Sequence, residues 1–226
     1  MTEIPSIPFI TYTPFNTTAS KMALQNHGII KTTTGKAILT SIPFPKLRDD
    51  YILVKTVAVA LNPTDWQAVD ISFKPETANT LLGCDAAGIV VEVGKNVTKN
   101  FKKGDRVACV AHGGPFFLDS YLPGSEFLLT VVDGDEGNEA QAEDGTFAEY
   151  IVVKGDIAIH IPQSMSFEDA SSLSCGVATT GLALYRYLEL PFLTLPIEEK
   201  KETGPPLLIY GGSTATGTIA IQFAKL

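Results

Sequence analysis

The C-terminal stretch LLIYGGSTATGTIAIQFAKL combines residue types that suit a phosphate group. Its apolar run, Leu207–Tyr210, predicts a strand, and Gly211 and Gly212 would let the backbone turn sharply into a helix. Gly217 would let that helix pack closely against a sheet, and its first N–H groups and its dipole favour a pyrophosphate. Further donors come from three hydroxyls, those of Ser213, Thr214 and Thr216. The strict G-x-G-x-x-G spacing is not met, because Thr214 stands where the middle glycine is expected. A turn that binds nothing therefore fits the pattern about equally well.

A second polar cluster, ALNPTDWQ at residues 60–67, follows a run of strand-forming residues. Asn62 before Pro63 favours an extended bend, and Asp65 could cap the next turn. Two interpretations stay open: a loop fixed by these three residues, or a cofactor-facing loop at a strand end.

A structural zinc lobe held by four cysteines is excluded, because the chain has no C-x-x-C pair. The three histidines, His27, His112 and His160, have no partner three or four residues on, which favours surface or core roles. Cys84 and Cys175 are interpreted as small buried residues rather than ligands. The sequence thus predicts no metal site.

Composition excludes several other classes of protein. Hydrophobic residues make up 45% of the 226 residues and charged ones 19%, which is typical of a chain with a packed core. A net charge of −8 without a basic stripe argues against nucleic-acid binding. No apolar stretch approaches the ~18 residues of a membrane helix. The N-terminus lacks a basic, secretory-type start, and sparse cysteines indicate a reducing compartment, so we expect a cytoplasmic protein.

The order of elements predicts a β domain, a helical bridge and the opening of an α/β domain. Short apolar runs between Gly, Asp and Asn turns suggest a small barrel or sandwich, with strands at residues 51–61, 87–94, 105–111 and 146–154. Ser166 and Asp169 form a variant capping box that predicts a helix start, and Gly176 and Gly181 are expected to break the segment into two short helices.

Together these pieces resemble the medium-chain dehydrogenase/reductase superfamily. The matching stretches, in chain order, are LNPTDW, LLGCDAAGIVVEVGKNV, FKKGDRVA, DGTFAEYIVVK, IPQSMSFEDASSL and YGGSTATGTIAIQFAK. They cover most of residues 22–226, and the ending most resembles the zinc-free, trans-acting enoyl reductases that serve fungal polyketide synthases. The resemblance implies a mixed β and α/β fold, with a GroES-like β-barrel domain followed by the truncated start of a Rossmann domain. The expected boundaries are a leader (1–21), the barrel domain (22–165, with an insertion at 115–137), a helical bridge and linker (166–206), and the first strand, turn and helix of the Rossmann domain (207–226).

The resemblance also implies a reaction and a set of site residues. NADPH would lie between the two domains and donate hydride to the β-carbon of an enoyl thioester carried on a polyketide synthase. The cofactor would be lined by Thr64, Asp65, Trp66, Gln67, Ser213, Thr214, Ala215 and Thr216. The acyl cavity would be bordered by Thr180, Gly181, Leu182, Ala183, Leu184, Tyr185, Arg186 and Tyr187, for which a simple packed helix is the alternative. No catalytic residue is assigned.

The chain departs from the family pattern at several places. Zinc-dependent members have Cys, His and Cys ligands where this chain has Asn62, Cys84 and Cys175, and their His–Glu pair is Cys84–Asp85 here. Relatives often carry Lys where this chain has Gln67, so a neutral donor replaces a cation. Residues 115–137 separate two motifs that nearly abut in relatives, which suggests a poorly packed insertion, one that a retained intron would explain.

Three hypotheses about function follow. The first is an NADPH-dependent enoyl reductase of polyketide biosynthesis, represented by an N-terminal part of the enzyme. The second is a quinone or alkenal reductase of the same superfamily, and the third is an inactive remnant. In each case we expect the 226 residues alone to bind NADPH weakly, with a loosely docked C-terminal segment and no detectable enoyl reduction, because neighbouring strands are needed to fix the turn.

Overall fold

The computed structural model describes residues 25–32, 35–70, 79–111, 142–192 and 206–225. The expected leader (1–21) and insertion (115–137), as well as His112 and most of the linker, lie outside the described residues.

Seven antiparallel strands are found in the described part of the N-terminal domain. A five-stranded sheet has the order β6-β3-β4-β5-β7, and β1 and β2 form a separate hairpin. The strands are β1 (Asn26–Lys31), β2 (Ala37–Ile42), β3 (Tyr51–Ala60), β4 (Asp85–Val93), β5 (Arg106–Val110), β6 (Tyr150–Lys154) and β7 (Ile159–His160). Alternate residues along the strands fill the main core, as strand geometry requires. Its fully buried members include Ile52, Val54, Val107, Cys109 and Ile151.

The hairpin is bonded to the rest of the domain through β1. The Ile29 N–H donates to the Phe147 carbonyl (2.8 Å), and the Leu82 N–H donates to the Ile29 carbonyl (2.9 Å). Isolated bridges pair Gly28 with Ala148 and Ile30 with Leu81. These contacts wrap the hairpin against the sheet, as expected for the predicted barrel.

The predicted strands are confirmed with shifts at their ends. β4 begins at Asp85 rather than at residue 87, and β6 begins at Tyr150 rather than at residue 146. The second shift has a local cause. The Phe147 N–H donates to the Leu82 carbonyl and Ala148 forms a bridge with Gly28, so these residues pair elsewhere than in the five-stranded sheet.

The helical bridge follows the barrel and packs on its sheet. It consists of α2 (Phe167–Ser171), α3 (Ser174–Gly181) and a π-helix (Leu182–Tyr187). The predicted cap at Ser166 is present, since its hydroxyl oxygen accepts from the Asp169 N–H (3.0 Å). Ala170 of α2 packs against the main sheet in a small cluster with Ala87 and Ala108.

The expected helix break at Gly176 is wrong. The chain breaks at Ser172–Leu173, and Gly176 lies inside α3. Gly176 instead permits a close helix contact, because a Cβ there would lie 2.4 Å from the Ile219 Cδ1. At Gly181 the helix changes from α to π geometry rather than ending.

The C-terminal segment forms its helix but not its predicted strand. Helix α4 spans Ala215–Lys225, whereas residues 206–209 have no regular structure and Tyr210 already belongs to the turn. Leu208 is 92% exposed, and no strand in the described ranges pairs with this run. A single extended run without a neighbour leaves its backbone groups to water, which explains the missing strand. No helix in the described part of the chain has the length and apolarity needed to cross a membrane.

Candidate functional site

The turn between β3 and α1 forms the first part of the candidate site. Helix α1 spans Pro63–Asp70, and the Asp65 side chain reaches back to the backbone of Asn62 just before its start. The Asn62 N–H donates to the Asp65 carboxylate (2.6 Å), and the Asp65 N–H donates to the Asn62 carbonyl (3.0 Å). Asp65 is buried, and this burial raises the pKa of its carboxyl group. The buried Asp65 thus holds the turn, whereas Trp66 is 59% exposed and its ring faces solvent.

Asp85, the first residue of β4, is the centre of the polar contacts beneath this turn. Its Oδ2 accepts from the Asn62 Nδ2 (3.0 Å), and its Oδ1 accepts from the Cys175 N–H (2.8 Å). Its carbonyl accepts from the Thr146 hydroxyl (3.2 Å). Only 1% of Asp85 is exposed, and burial raises the pKa of its carboxyl group to about 6. Both oxygens are used as acceptors, and at neutral pH the group is mainly a carboxylate.

The three positions that carry zinc ligands in other branches do come together around Asp85. Asn62 uses its amide to bond Asp85, and the Cys84 sulfur lies 3.6 Å from the Thr64 hydroxyl. Burial raises the pKa of the Cys84 thiol and raises that of Cys175 to about 11, so both are protonated at neutral pH and would have to lose a proton to bind a metal. Within the described ranges, no group of three or more His, Cys, Asp or Glu residues is placed to hold a metal ion.

The turn before α4 has the sharp bend predicted at Gly211, but Gly217 packs against this turn and not against a sheet as expected. Gly211 has a φ of +79°, which favours glycine, and a Cβ at Gly217 would lie 2.2 Å from the Gly211 carbonyl oxygen. Thr214 caps the helix, since its hydroxyl oxygen accepts from the Gly217 N–H (3.0 Å) and its own O–H donates to the Gly211 carbonyl (2.9 Å). The N–H groups of Ala215 and Thr216 lie in the first turn, where no intrahelical acceptor exists. This half of the site can therefore receive an anion, while the Thr214 hydroxyl is occupied within the turn.

Helices α3 and α4 pack against each other and bring two predicted segments together. Gly176 faces Ile219, which is 8% exposed, and the Thr180 hydroxyl donates to the Thr216 carbonyl at 3.5 Å. The predicted acyl-lining segment and the predicted cofactor turn thus meet at Thr180 and Thr216.

The π-helix carries most of the predicted acyl-lining residues. π geometry is rare and is often found at functional sites. Leu184 is buried, whereas Tyr187 is 57% exposed. The Tyr185 ring stacks on Phe192 (4.6 Å between centroids) and is tilted against Phe223 of α4 (6.3 Å). The segment is therefore partly a packed helix, as the alternative interpretation held, with one face left open.

The two predicted cofactor segments are not in direct polar contact. Among the described residues no hydrogen bond joins residues 64–67 to residues 213–216; the connection runs from Asn62 through Asp85 to α3 and then to α4. Sequence reasoning named Asp85 only as the counterpart of the Glu in the family's His–Glu pair and gave it no role in the site. Its signal was a lone carboxylate in the small, apolar run GCDAAG, where a buried charge needs partners.

An open apolar groove of about 540 Å³ lies elsewhere, between the hairpin and the end of β3. Ile29, Leu39 and Val57 line it, and the His27–Glu149 pair (3.1 Å) lies at its edge. None of its lining residues belongs to the predicted cofactor segments (64–67 and 213–216) or to the predicted acyl-lining segment (180–187).

Comparison with known proteins agrees with this architecture. The alcohol dehydrogenase GroES-like domain family matches residues 48–163. The trans-enoyl reductase TOXD of Cochliobolus carbonum is 48% identical over 201 residues, which cover 84% of this chain and 58% of the relative. The trans-enoyl reductase resD of Aspergillus sclerotiorum is 46% identical over 206 residues, which cover 88% and 50%. The quinone oxidoreductase structure from Coxiella burnetii has a TM-score of 0.58 at 24% identity, covers 89% of this chain and 54% of that chain, and supports the fold alone.

The fold and these matches define the class of protein. The chain belongs to the alcohol dehydrogenase GroES-like family, within the medium-chain dehydrogenase/reductase superfamily. The most similar of the relatives above are trans-enoyl reductases, and the chain spans about half of their length. Family membership implies a nicotinamide cofactor for the whole enzyme.

Proposed function

We propose that the chain forms the barrel, bridge and cofactor turn of an NADPH-dependent enoyl reductase that acts on an α,β-unsaturated acyl thioester carried by a polyketide synthase. The observation that carries the proposal is the 48% identity to a trans-enoyl reductase over 84% of this chain. Because the chain spans about half of that relative, the activity is proposed for the whole enzyme and the binding roles for this chain's residues.

The residues of the α4 turn fit a cofactor phosphate. Gly217 allows the turn to lie close to the helix, and the N–H groups of Ala215 and Thr216 belong to its first turn, at the positive end of the helix dipole. Ser213 and Thr216 bring hydroxyl donors to the same stretch of chain. Bound NADPH would supply the hydride, and the role of these residues is to hold its phosphate.

The α1 turn would offer the cofactor an aromatic ring and a neutral donor rather than a charged group. Trp66 presents an exposed ring, and Gln67 adds a neutral donor beside it. Asp65 was predicted to line the cofactor, but it is buried and bonded to the Asn62 N–H. We therefore assign Asp65 a positioning role, through Asn62.

The fluorescence of Trp66 provides a direct binding test. Trp66 is the only tryptophan in the sequence, so its emission reports on the α1 turn alone. Titration with NADPH should quench it, with a larger effect than NADH if the phosphate preference is correct. Weak, millimolar-range binding is expected for the 226 residues alone, because the chain spans about half the length of the relatives that it matches.

Activity is tested in a chimera, in which this chain replaces the matching half of TOXD. The chimera should oxidise NADPH with an enoyl thioester on a carrier protein as substrate. Ser213→Ala combined with Thr216→Val should raise the KM for NADPH by about a hundredfold or more, since each lost bond to a charged group costs about 1.5–3 kcal/mol. Ser166→Ala is the matched control, since it removes a hydroxyl from a helix start outside the site and should leave that KM unchanged. Reduction of free quinones without reduction of the carrier-bound thioester would favour the quinone reductase hypothesis instead.

A further inference from the structure

Helix α3 begins without a side-chain cap from its own sequence. Its N-cap residue, Leu173, makes no capping hydrogen bond. The Cys175 N–H in the first turn donates instead to the Asp85 Oδ1 at 2.8 Å, across 90 residues of sequence. A carboxylate is favoured at this end of a helix by the unsatisfied N–H groups and the dipole. Asp85 therefore caps α3 from the main sheet.

The other oxygen of the same carboxylate holds the α1 turn. The Asn62 Nδ2 donates to the Asp85 Oδ2 at 3.0 Å, and the Asn62 N–H is in turn bonded to the Asp65 carboxylate. One buried carboxylate thus joins the end of β3, the start of β4 and the start of α3. These elements carry the proposed cofactor-facing residues on one side and the proposed acyl-lining residues on the other.

We propose that Asp85 is a positioning residue that couples the α1 turn to helix α3, so that the two walls of the candidate site hold a fixed distance from each other. The coupling itself is a property of the fold, whereas its use in cofactor and acyl positioning rests on the proposed function. Asp85 acts through Asn62 and the Cys175 amide.

The hydrogen bond between Asn62 and Asp85 predicts that a single substitution breaks the contact and that a paired substitution restores it. Asn62→Asp places two carboxyl groups against each other, and their repulsion should break the contact or force one of them to hold a proton. Adding Asp85→Asn in the same chain restores a complementary pair. The carboxylate introduced at position 62 can then accept from the amide nitrogen introduced at position 85, and the carbonyl oxygen of that amide can accept from the Cys175 N–H. The double variant Asn62→Asp/Asp85→Asn should therefore recover what the single variant loses.

The test measures amide hydrogen exchange at Cys175 by NMR in the 226-residue chain at neutral pH. Asn62→Asp should reduce the protection of the Cys175 amide roughly tenfold, an effect of the size expected for one lost helix cap. The double variant should return it to within about twofold of wild type, with Trp66 emission shifted and restored in parallel. Ser166→Ala is the control, since it removes the cap of α2 and should expose the Asp169 amide while leaving Cys175 and Trp66 unchanged.

Two results would overturn the coupling. The first is unchanged Cys175 protection in Asn62→Asp at a pH high enough to ionise both carboxyl groups, and the second is a double variant no better protected than the single one. Neither measurement needs a cofactor. A chimera that fails to reduce enoyl thioesters while the double variant still rescues the Cys175 amide would therefore refute the proposed function and leave the coupling in place.

Discussion

Two glycines in the same helix should respond in opposite ways to alanine. Gly176 and Gly181 both lie in α3, where alanine is favoured over glycine by about 0.8–1 kcal/mol. A Cβ at Gly181 would meet nothing within 4 Å, so Gly181→Ala should stabilise the protein by close to that amount. A Cβ at Gly176 would lie 2.4 Å from the Ile219 Cδ1, and crowding of this kind costs about 1–3 kcal/mol. The net effect of Gly176→Ala is therefore a destabilisation of up to about 2 kcal/mol.

The assay is urea unfolding followed by circular dichroism, together with hydrogen exchange of the α4 amides. Ile219→Val removes the Cδ1 that causes the clash, so Gly176→Ala/Ile219→Val should recover most of the loss in α4 protection. If Gly176→Ala stabilises the protein as much as Gly181→Ala does, the α3–α4 contact does not form in solution. The C-terminal segment would then be loosely docked, as the sequence alone suggests.

Three further predictions concern the site. Asp85 has a folded-state pKa of about 6 against an ordinary value of 3.8, chiefly because of burial. Its ionisation should therefore lower the free energy of unfolding by roughly 3 kcal/mol as the pH rises from about 4 to 6. Urea midpoints measured across this range should fall in the wild type and should not fall in Asp85→Asn. Equal pH profiles for the two proteins would contradict the raised pKa of Asp85. Gly217→Ala should disrupt the α4 turn, because its Cβ would meet the Gly211 carbonyl oxygen at 2.2 Å, and loss of α4 amide protection is the measurement. Metal analysis of the purified chain should find far less than one zinc per molecule, since the Asn62 amide is bonded to Asp85 and the described residues include no group of three or more His, Cys, Asp or Glu placed to hold a metal ion. A stoichiometric, tightly held zinc would show that the Asn62–Asp85 pair rearranges.

Features set by short-range patterns could be predicted from the sequence. The apolar and β-branched run of β3, which includes Ile52 and Val54, identifies a strand, because these residue types favour strands. The Ser166 cap depends on a residue three positions away, and so does the bond from the Asn62 N–H to the Asp65 carboxylate. Hydrogen bonds over such distances need no knowledge of the fold.

Features that join distant parts of the chain were decided by the tertiary structure alone. Asp85 meets Asn62 across 23 residues and Cys175 across 90, and no periodicity in the sequence encodes either pairing. Gly176 has the local character of a helix breaker, yet contact with Ile219 makes it a packing position, because a missing Cβ matters only where another helix approaches. The run from residue 207 to 210 has strand-forming residues but no strand, since a strand is stable only with a partner to accept its hydrogen bonds. Local composition therefore defines which elements are possible, and long-range packing decides which of them form and what they position.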